Sequence, residues 1–203
     1  DDTYQGFVFQ AAVADADALY LAGAQEVAEG DADFVVVRLF GDGTLDWQSN
    51  YGFAGSGTED LALDLAFDNS GDLVASGYFT DDEQALAVVK VGIDGSTAWE
   101  RTLPVASGHR PFGRHLAVGP RDQVAIVGTV EGSMGDESAL GAVFSSTGAF
   151  EWSQTYGYAG DFTADSFDSV AIGRDGSVYA TGLLDEDGGD ERWVITRHDE
   201  GGT

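Results

Sequence analysis

Two sets of glycines run in step through this chain, and their spacing constrains the fold more than any other feature. Gly43, Gly95, Gly148 and Gly202 lie 52, 53 and 54 residues apart. Each closes a turn after an apolar strand. In three copies a tryptophan follows four residues later, at Trp47, Trp99 and Trp152; a fourth copy begins at Trp193 and stops at Thr203. Gly23, Gly77, Gly128 and Gly182 form the second set, 54, 51 and 54 residues apart, each ending a run of four apolar-rich residues. Two independent registers agreeing over four copies mark an internal repeat.

Each unit divides into four strands. The first strands are predicted at about 7–14, 61–68, 112–119 and 166–173. The second end at the Gly23 set, the third precede the Gly43 set, and the fourth carry the tryptophans. No stretch has helical periodicity. Strand-turn-strand units of roughly 50 residues predict an all-β fold, a β-propeller of four-stranded antiparallel blades. The blades fall at about 6–52, 60–104, 111–157 and 165–203, the last incomplete. A β-sandwich has no need of equal repeats, and β-helix coils are shorter. Eleven residues before each glycine of the second set stands an alanine: Ala12, Ala66, Ala117 and Ala171. This column predicts a crowded inner-strand position that accepts only a small side chain. The flanking columns, Ala11, Leu65, Leu116, Val170 and Val13, Phe67, Val118, Ile172, are apolar, as expected of sheets covered on both faces. Trp47, Trp99 and Trp152 are expected to be at least half-buried near blade-to-blade contacts.

With these motifs in view, the chain resembles the SBBP-type bacterial β-propeller repeat. Residues 67–77 and 172–182 are similar to that family's strand, turn and strand ending in glycine; Asp94-Gly-Ser-Thr-Ala-Trp99 is similar to its Asp-Gly turn and tryptophan; residues 55–60 are similar to its inter-blade loop. The resemblance implies architecture and an exported protein of a bacterium, secreted, periplasmic or at the cell surface. It implies no defined enzyme site. The turn-plus-tryptophan is also similar to quinoprotein propellers, in which tryptophan docks one blade on the next. Their dehydrogenases hold a quinone and calcium with a cysteine pair and a catalytic aspartate, and this chain has no cysteine.

Composition sets the exclusions. Thirty-six acids face nine bases, a net charge of −27, and Lys90 is the sole lysine. Such a field repels nucleic acid and anionic membranes and admits cations, basic proteins and neutral glycans. It also suits a salty, marine or calcium-rich setting. At 43% hydrophobic residues the chain is no disordered polyanion. No apolar run approaches the length of a membrane-spanning helix. Asp1-Asp2-Thr3-Tyr4 lacks the basic and apolar regions of a signal peptide, as expected of a mature or trimmed chain. Without cysteine there is no disulfide framework, thiolate metal site or cysteine nucleophile.

Candidate binding residues come from the inner strands. Thirteen residues before the second glycine set stand Gln10, Asp64, His115 and Ser169, a polar column placed near the central channel. Hydrogen bonding within the core or to channel water is the competing reading. One column away, Arg114 and Asp168 are placed to pair across neighbouring blades. His109 falls in a loop, and His198, beside a turn, is expected in solvent. No nucleophile elbow, phosphate loop or His-x-x-x-His pair is present, and 25 aspartates make any chosen triad arbitrary.

The acids cluster. Segments 24–33, 78–84, 129–138 and 183–191, between second and third strands, hold 15 of the 36. They predict one long-looped acidic face opposite a face of short hairpins. Asp31, Asp33, Asp185, Asp187 and Asp190 are the candidate Ca²⁺ ligands, with a solvated rim as the alternative. Arg38, Lys90 and Arg197 share one third-strand column and are expected to form surface pairs, for example with Asp46 or Glu100.

These features predict a non-catalytic propeller module for binding, adhesion or assembly. Its partner would be a protein, a glycan or another copy of the chain. The rivals are a quinoprotein-like fragment and a lectin stacking sugars on Tyr20, Tyr51, Tyr156, Tyr158 or Tyr179. The repeat predicts fifteen strands of a sixteen-strand pattern, completed by more chain or by another molecule. The contrary outcome is residues 1–6 folding back as the missing strand.

Overall fold

The structure, a computed structural model, describes residues 6–52, 59–80, 84–104, 109–132, 135–157, 164–186 and 190–203. Among them are fifteen strands and no helix. The first sheet holds β1 (Phe7–Ala14), β2 (Ala18–Ala28), β3 (Asp31–Phe40) and β4 (Leu45–Tyr51). The second holds β5 (Leu61–Phe67), β6 (Leu73–Thr80), β7 (Gln84–Val91) and β8 (Thr97–Pro104). The third holds β9 (Arg110–Val118), β10 (Val124–Glu131), β11 (Glu137–Phe144) and β12 (Phe150–Tyr156). The fourth is β13 (Ser166–Ile172), β14 (Val178–Glu186) and β15 (Asp190–His198). Each sheet is an antiparallel meander in chain order, and the four blades form an open arc rather than a closed ring.

The second glycine set is fixed by sterics. A Cβ on Gly23, Gly77, Gly128 or Gly182 would overlap the carbonyl oxygen of Val8, Leu61, Phe112 or Ser166 on the first strand. The overlap falls beside a β-bulge in every first-to-second strand ladder, where the two backbones approach too closely for a side chain. Gly43, Gly95, Gly148 and Gly202 answer to a different demand. Each has φ between +76° and +84° and donates its N–H back three residues, closing the third-to-fourth strand turn.

The bulges correct the register of the first blade. Gln10 is itself the bulged residue there, because Phe9 pairs with Gly23 and Ala11 with Ala22. In the other blades the bulged residues are Leu63, Arg114 and Asp168. The cause is the β1–β2 turn, residues 15–18, one residue shorter than 68–72, 119–123 and 173–177. Gln10 therefore leaves the column of Asp64, His115 and Ser169. The alanine column loses a member in the same way: Val13, not Ala12, matches Ala66, Ala117 and Ala171. Ala66 and Ala117, in the middle blades, are half-buried, whereas Ala12 and Ala171, in the end blades, are exposed.

The core is a set of blade junctions. Tyr20, Phe34 and Val36 of the first blade bury against Leu65, Leu73, Ala75 and Val89 of the second. Val74, Leu86, Val88 and Trp99 of the second meet Val124, Ile126 and Phe144 of the third. Val127, Ala139 and Val143 of the third meet Phe167, Val178 and Ala180 of the fourth. Each inner sheet is apolar on both faces because each face meets a neighbour.

Candidate functional site

A two-point latch repeats at each junction. The indole N–H of Trp47, Trp99 and Trp152 donates to the carbonyl of Ile93, Ser146 and Glu200 in the next blade, at 3.1, 3.0 and 3.2 Å. Two residues on, Ser49, Arg101 and Gln154 donate to the carbonyl of Gly95, Gly148 and Gly202. Each indole lies on the turn glycine itself: a Cβ there would sit 2.9, 2.7 and 2.8 Å from ring carbon Cδ2. The tryptophans are half-buried or buried at the junctions, as the repeat predicts, and the glycine is needed for indole packing as well as for φ.

Along the inner strands, two polar candidates come together and the others stay apart. Asp64 Oδ2 accepts the Leu116 N–H of the next blade at 2.8 Å and lies 3.8 Å from His115 Nδ1. This carboxylate splices the second and third blades. Gln10, Ser169, Arg114 and Asp168 are exposed. Arg114 lies over the Phe112 ring at 5.9 Å and makes no ion pair with Asp168: the two are bulged residues on separate strands.

The acidic face differs from its expected form. Segments 24–33 and 183–191 are mostly ladder: β2 runs to Ala28 and β3 starts at Asp31, and β14 runs to Glu186 before β15 starts at Asp190. Asp31 and Asp33 stand two residues apart on β3 and so share one face of the sheet, opposite Ala28 and Gln25 of β2. Asp187 and the Asp190 side chain lie outside the described residues, as do residues 1–5 and Tyr158. Among the described residues no three His, Asp or Glu side chains gather into a metal-sized cluster. Three buried aspartates, Asp60, Asp68 and Asp165, escaped the sequence reading. Asp60 and Asp165 stand just before the inner strands β5 and β13, accept the N–H of Thr80 and Asp185 at 3.2 and 2.7 Å, and donate their own N–H to Ala32 and Glu137 of the preceding blade. A shared Thr-x-Asp, Thr58 to Asp60 and Thr163 to Asp165, was the available signal.

The third-strand bases are paired, and not all at the surface. Arg38 bonds Asp46. Lys90 turns from Glu100 to Asp68, whose side chain is 1% exposed, and lies 3.6 Å from Asp72. Asp68 Oδ1 also accepts the N–H groups of Ser70 and Asp72, while its buried Oδ2 meets the Lys90 ammonium. Burial pulls the Lys90 ammonium down, but the Asp68 hydrogen bond and the charges of Asp68 and Asp72 together raise it above the usual lysine range. Arg197 bonds Ser177 and Asp175. His198 is buried, not solvated: it meets the Tyr156 hydroxyl at 3.0 Å and packs at a tilt between the Trp152 and Tyr156 rings, because Trp152 reaches over the last turn. Tyr20 and Tyr51 are buried too, which removes both from any sugar-stacking role.

Two concave regions of the third and fourth blades bear on binding. One, about 310 Å³, lies between the third and fourth blades on the short-turn face, ringed by Arg121, Glu151, Trp152 and Glu200, with the Arg121–Glu200 ion pair at its rim. The other, about 490 Å³, spreads over the open face of the fourth blade, lined by Leu183, Trp193 and Ile195 with Asp168 and Thr181. Trp193 is 90% exposed and Ile195 75%.

No family model matches the chain, and no curated protein matches it. Among solved structures it is similar to a protein of unknown function from Bacteroides caccae, at 9% identity over 98% of this chain and 80% of that chain, with a TM-score of 0.41. It is also similar to a hypothetical protein from Leishmania major, at 10% identity over 88% and 82%, with a TM-score of 0.30. These likenesses carry no functional argument. Among the described residues no helix is long and apolar enough to cross a membrane.

Proposed function

We propose that this chain is a non-catalytic, exported propeller module that works by assembly with other protein surfaces through its open end face. The observation that carries this reading is Trp193, an indole 90% exposed on the outermost strand of a three-stranded blade. Large apolar side chains left in water on a flat sheet face mark interaction surfaces, and the polar candidates of the inner strands are either spliced between blades or scattered. The net charge of −27 favours partners with basic rims. Ca²⁺ would act as a counter-ion over the acidic face rather than as a cofactor.

A photo-crosslinking residue placed at Ile195 tests the reading in the organism that makes the protein. The expected result is a discrete protein adduct that Trp193→Asp abolishes, with none from the same residue placed at Glu100. Absence of any protein adduct at 195 overturns it. Quinone absorbance in the purified protein would replace it with the quinoprotein reading, and a saturable glycan-array signal with the lectin reading.

A further inference from the structure

We infer that the open face of the fourth blade is covered by the first blade of a second copy, two copies joining head to tail into one eight-bladed ring. This deepens the assembly reading and rests on it. The chain contains its own controls. On the side of each third strand that faces the next blade, Phe34, Leu86 and Ala139 are fully buried, and the matching residue of the last blade is Trp193. Two residues on, Val36 and Val88 are fully buried, and the matching residue is Ile195 at 75%. At the other end of the arc the relation is reversed. On the side of each second strand that faces the previous blade, Leu73 and Val124 are fully buried and Val178 nearly so, whereas the matching Leu19 is 37% exposed.

One surface of each kind is therefore left over, and each lies at one end of the arc. In all three internal junctions a next-facing surface meets a previous-facing one. The molecule thus specifies what seats on Trp193 and Ile195: a surface built like the one around Leu19, which every second copy carries. Pairing two fourth blades instead would set Trp193 against Trp193 and Arg197 against Arg197, an arrangement found at none of the internal junctions. A head-to-tail contact closes when its rotation fits and otherwise runs on as a filament. Four blades from each copy make eight, within the roughly 4–8 blades that propeller rings accommodate. Two chains of −27 repel one another, so joining them requires screening.

Sedimentation velocity on the 203-residue chain, at the highest soluble concentration and at about 0.1 M and about 1 M NaCl, tests the inference. The expected species at high salt has twice the 21.3 kDa chain mass. Trp193→Asp/Ile195→Asp and Leu19→Asp, at opposite ends, should each return it to the single-chain mass with the circular dichroism spectrum unchanged. Mixing the two variants should restore a dimer through the one junction that joins their intact faces. If Leu19→Asp fails to fold, Leu45→Asp replaces it, since Leu45 is exposed at 40% on the same face. Three outcomes overturn the inference: a single-chain mass for the unaltered protein at high salt, a dimer indifferent to Leu19→Asp and Leu45→Asp, or open-ended oligomers. A single-chain mass together with a foreign protein adduct at 195 would overturn the second copy and leave the assembly reading standing.

Discussion

At the scale of single residues, glycines that look alike in the sequence do different work. Gly77 has no room for a methyl group, since a Cβ would overlap the Leu61 carbonyl; Gly43 has φ +84° and open space around a Cβ. Gly77→Ala should cost about 3 kcal/mol, through forced backbone displacement. Gly43→Ala should cost about 1–2 kcal/mol, the left-handed penalty alone. Urea unfolding of the pair checks the ordering, and equal costs would contradict the steric account. Lys90 is the second residue-scale case. Lys90→Met strands the buried Asp68 carboxylate and should cost about 3 kcal/mol or more, against under about 1 kcal/mol for Arg38→Met at the more exposed Asp46 pair. Because the folded pKa of Lys90 is raised, its contribution is whole below the unfolded value near 10.4 and is lost as pH rises through the folded value. A Lys90→Met variant should therefore lose less stability than the parent on passing into strong base.

At the scale of the element, each blade is held by its neighbour's turn. Trp99 is the most buried of the latch tryptophans, so Trp99→Ala should cost about 3–5 kcal/mol, and the half-buried Trp47 and Trp152 less; chemical denaturation gives the order. The turns themselves are tied by aspartates. The Ser96 hydroxyl and N–H hold the Asp94 carboxyl below its usual range, the Thr44 hydroxyl and N–H do the same for Asp42, and the Thr203 N–H and hydroxyl for Asp199. Lowered folded values mean that these contacts favour the fold above the unfolded pKa near 3.9 and lose their effect as pH falls through the folded values. Carboxyl-detected NMR should show these three titrating below the unfolded value near 3.9. The strand order, the turns and the tryptophan docking were legible because glycine, Asp-Gly and tryptophan are spaced by backbone geometry that repeats. The inner-strand column was misaligned for a local reason: a turn one residue short pushes Gln10 into the bulge, and counting from Gly23 cannot register a residue lost between them. Lys90 and His198 were misplaced because burial depends on which neighbour folds over them, and no local pattern encodes that Trp152 reaches across the final turn.

At the scale of the molecule, charge and shape act against each other. Net charge −27 on 203 residues places like charges throughout the surface. Their repulsion is screened as the Debye length shrinks from about 10 Å at 0.1 M to about 3 Å at 1 M salt. The Tm should therefore rise from low to molar NaCl in differential scanning calorimetry; a flat or falling Tm would show that the acids are already compensated. A rise in millimolar CaCl₂ beyond that of NaCl at equal ionic strength would show specific carboxylate sites. The four blade-like sheets were legible in the two glycine registers. That the last blade presents an indole to water was not, because Trp193 stands where the other copies carry buried side chains, and only an uncovered face makes the difference visible.

The latch always points forward along the chain, and this orders how the protein is made. A tryptophan leaving the ribosome has nothing to grip until its acceptor carbonyl, 46 to 48 residues later, has also emerged. At roughly 5–20 residues per second, each blade waits about 2–10 s with its indole undocked. Every finished blade is thus completed by the synthesis of the one behind it, and the polypeptide leaves the exit tunnel with one blade always unsecured.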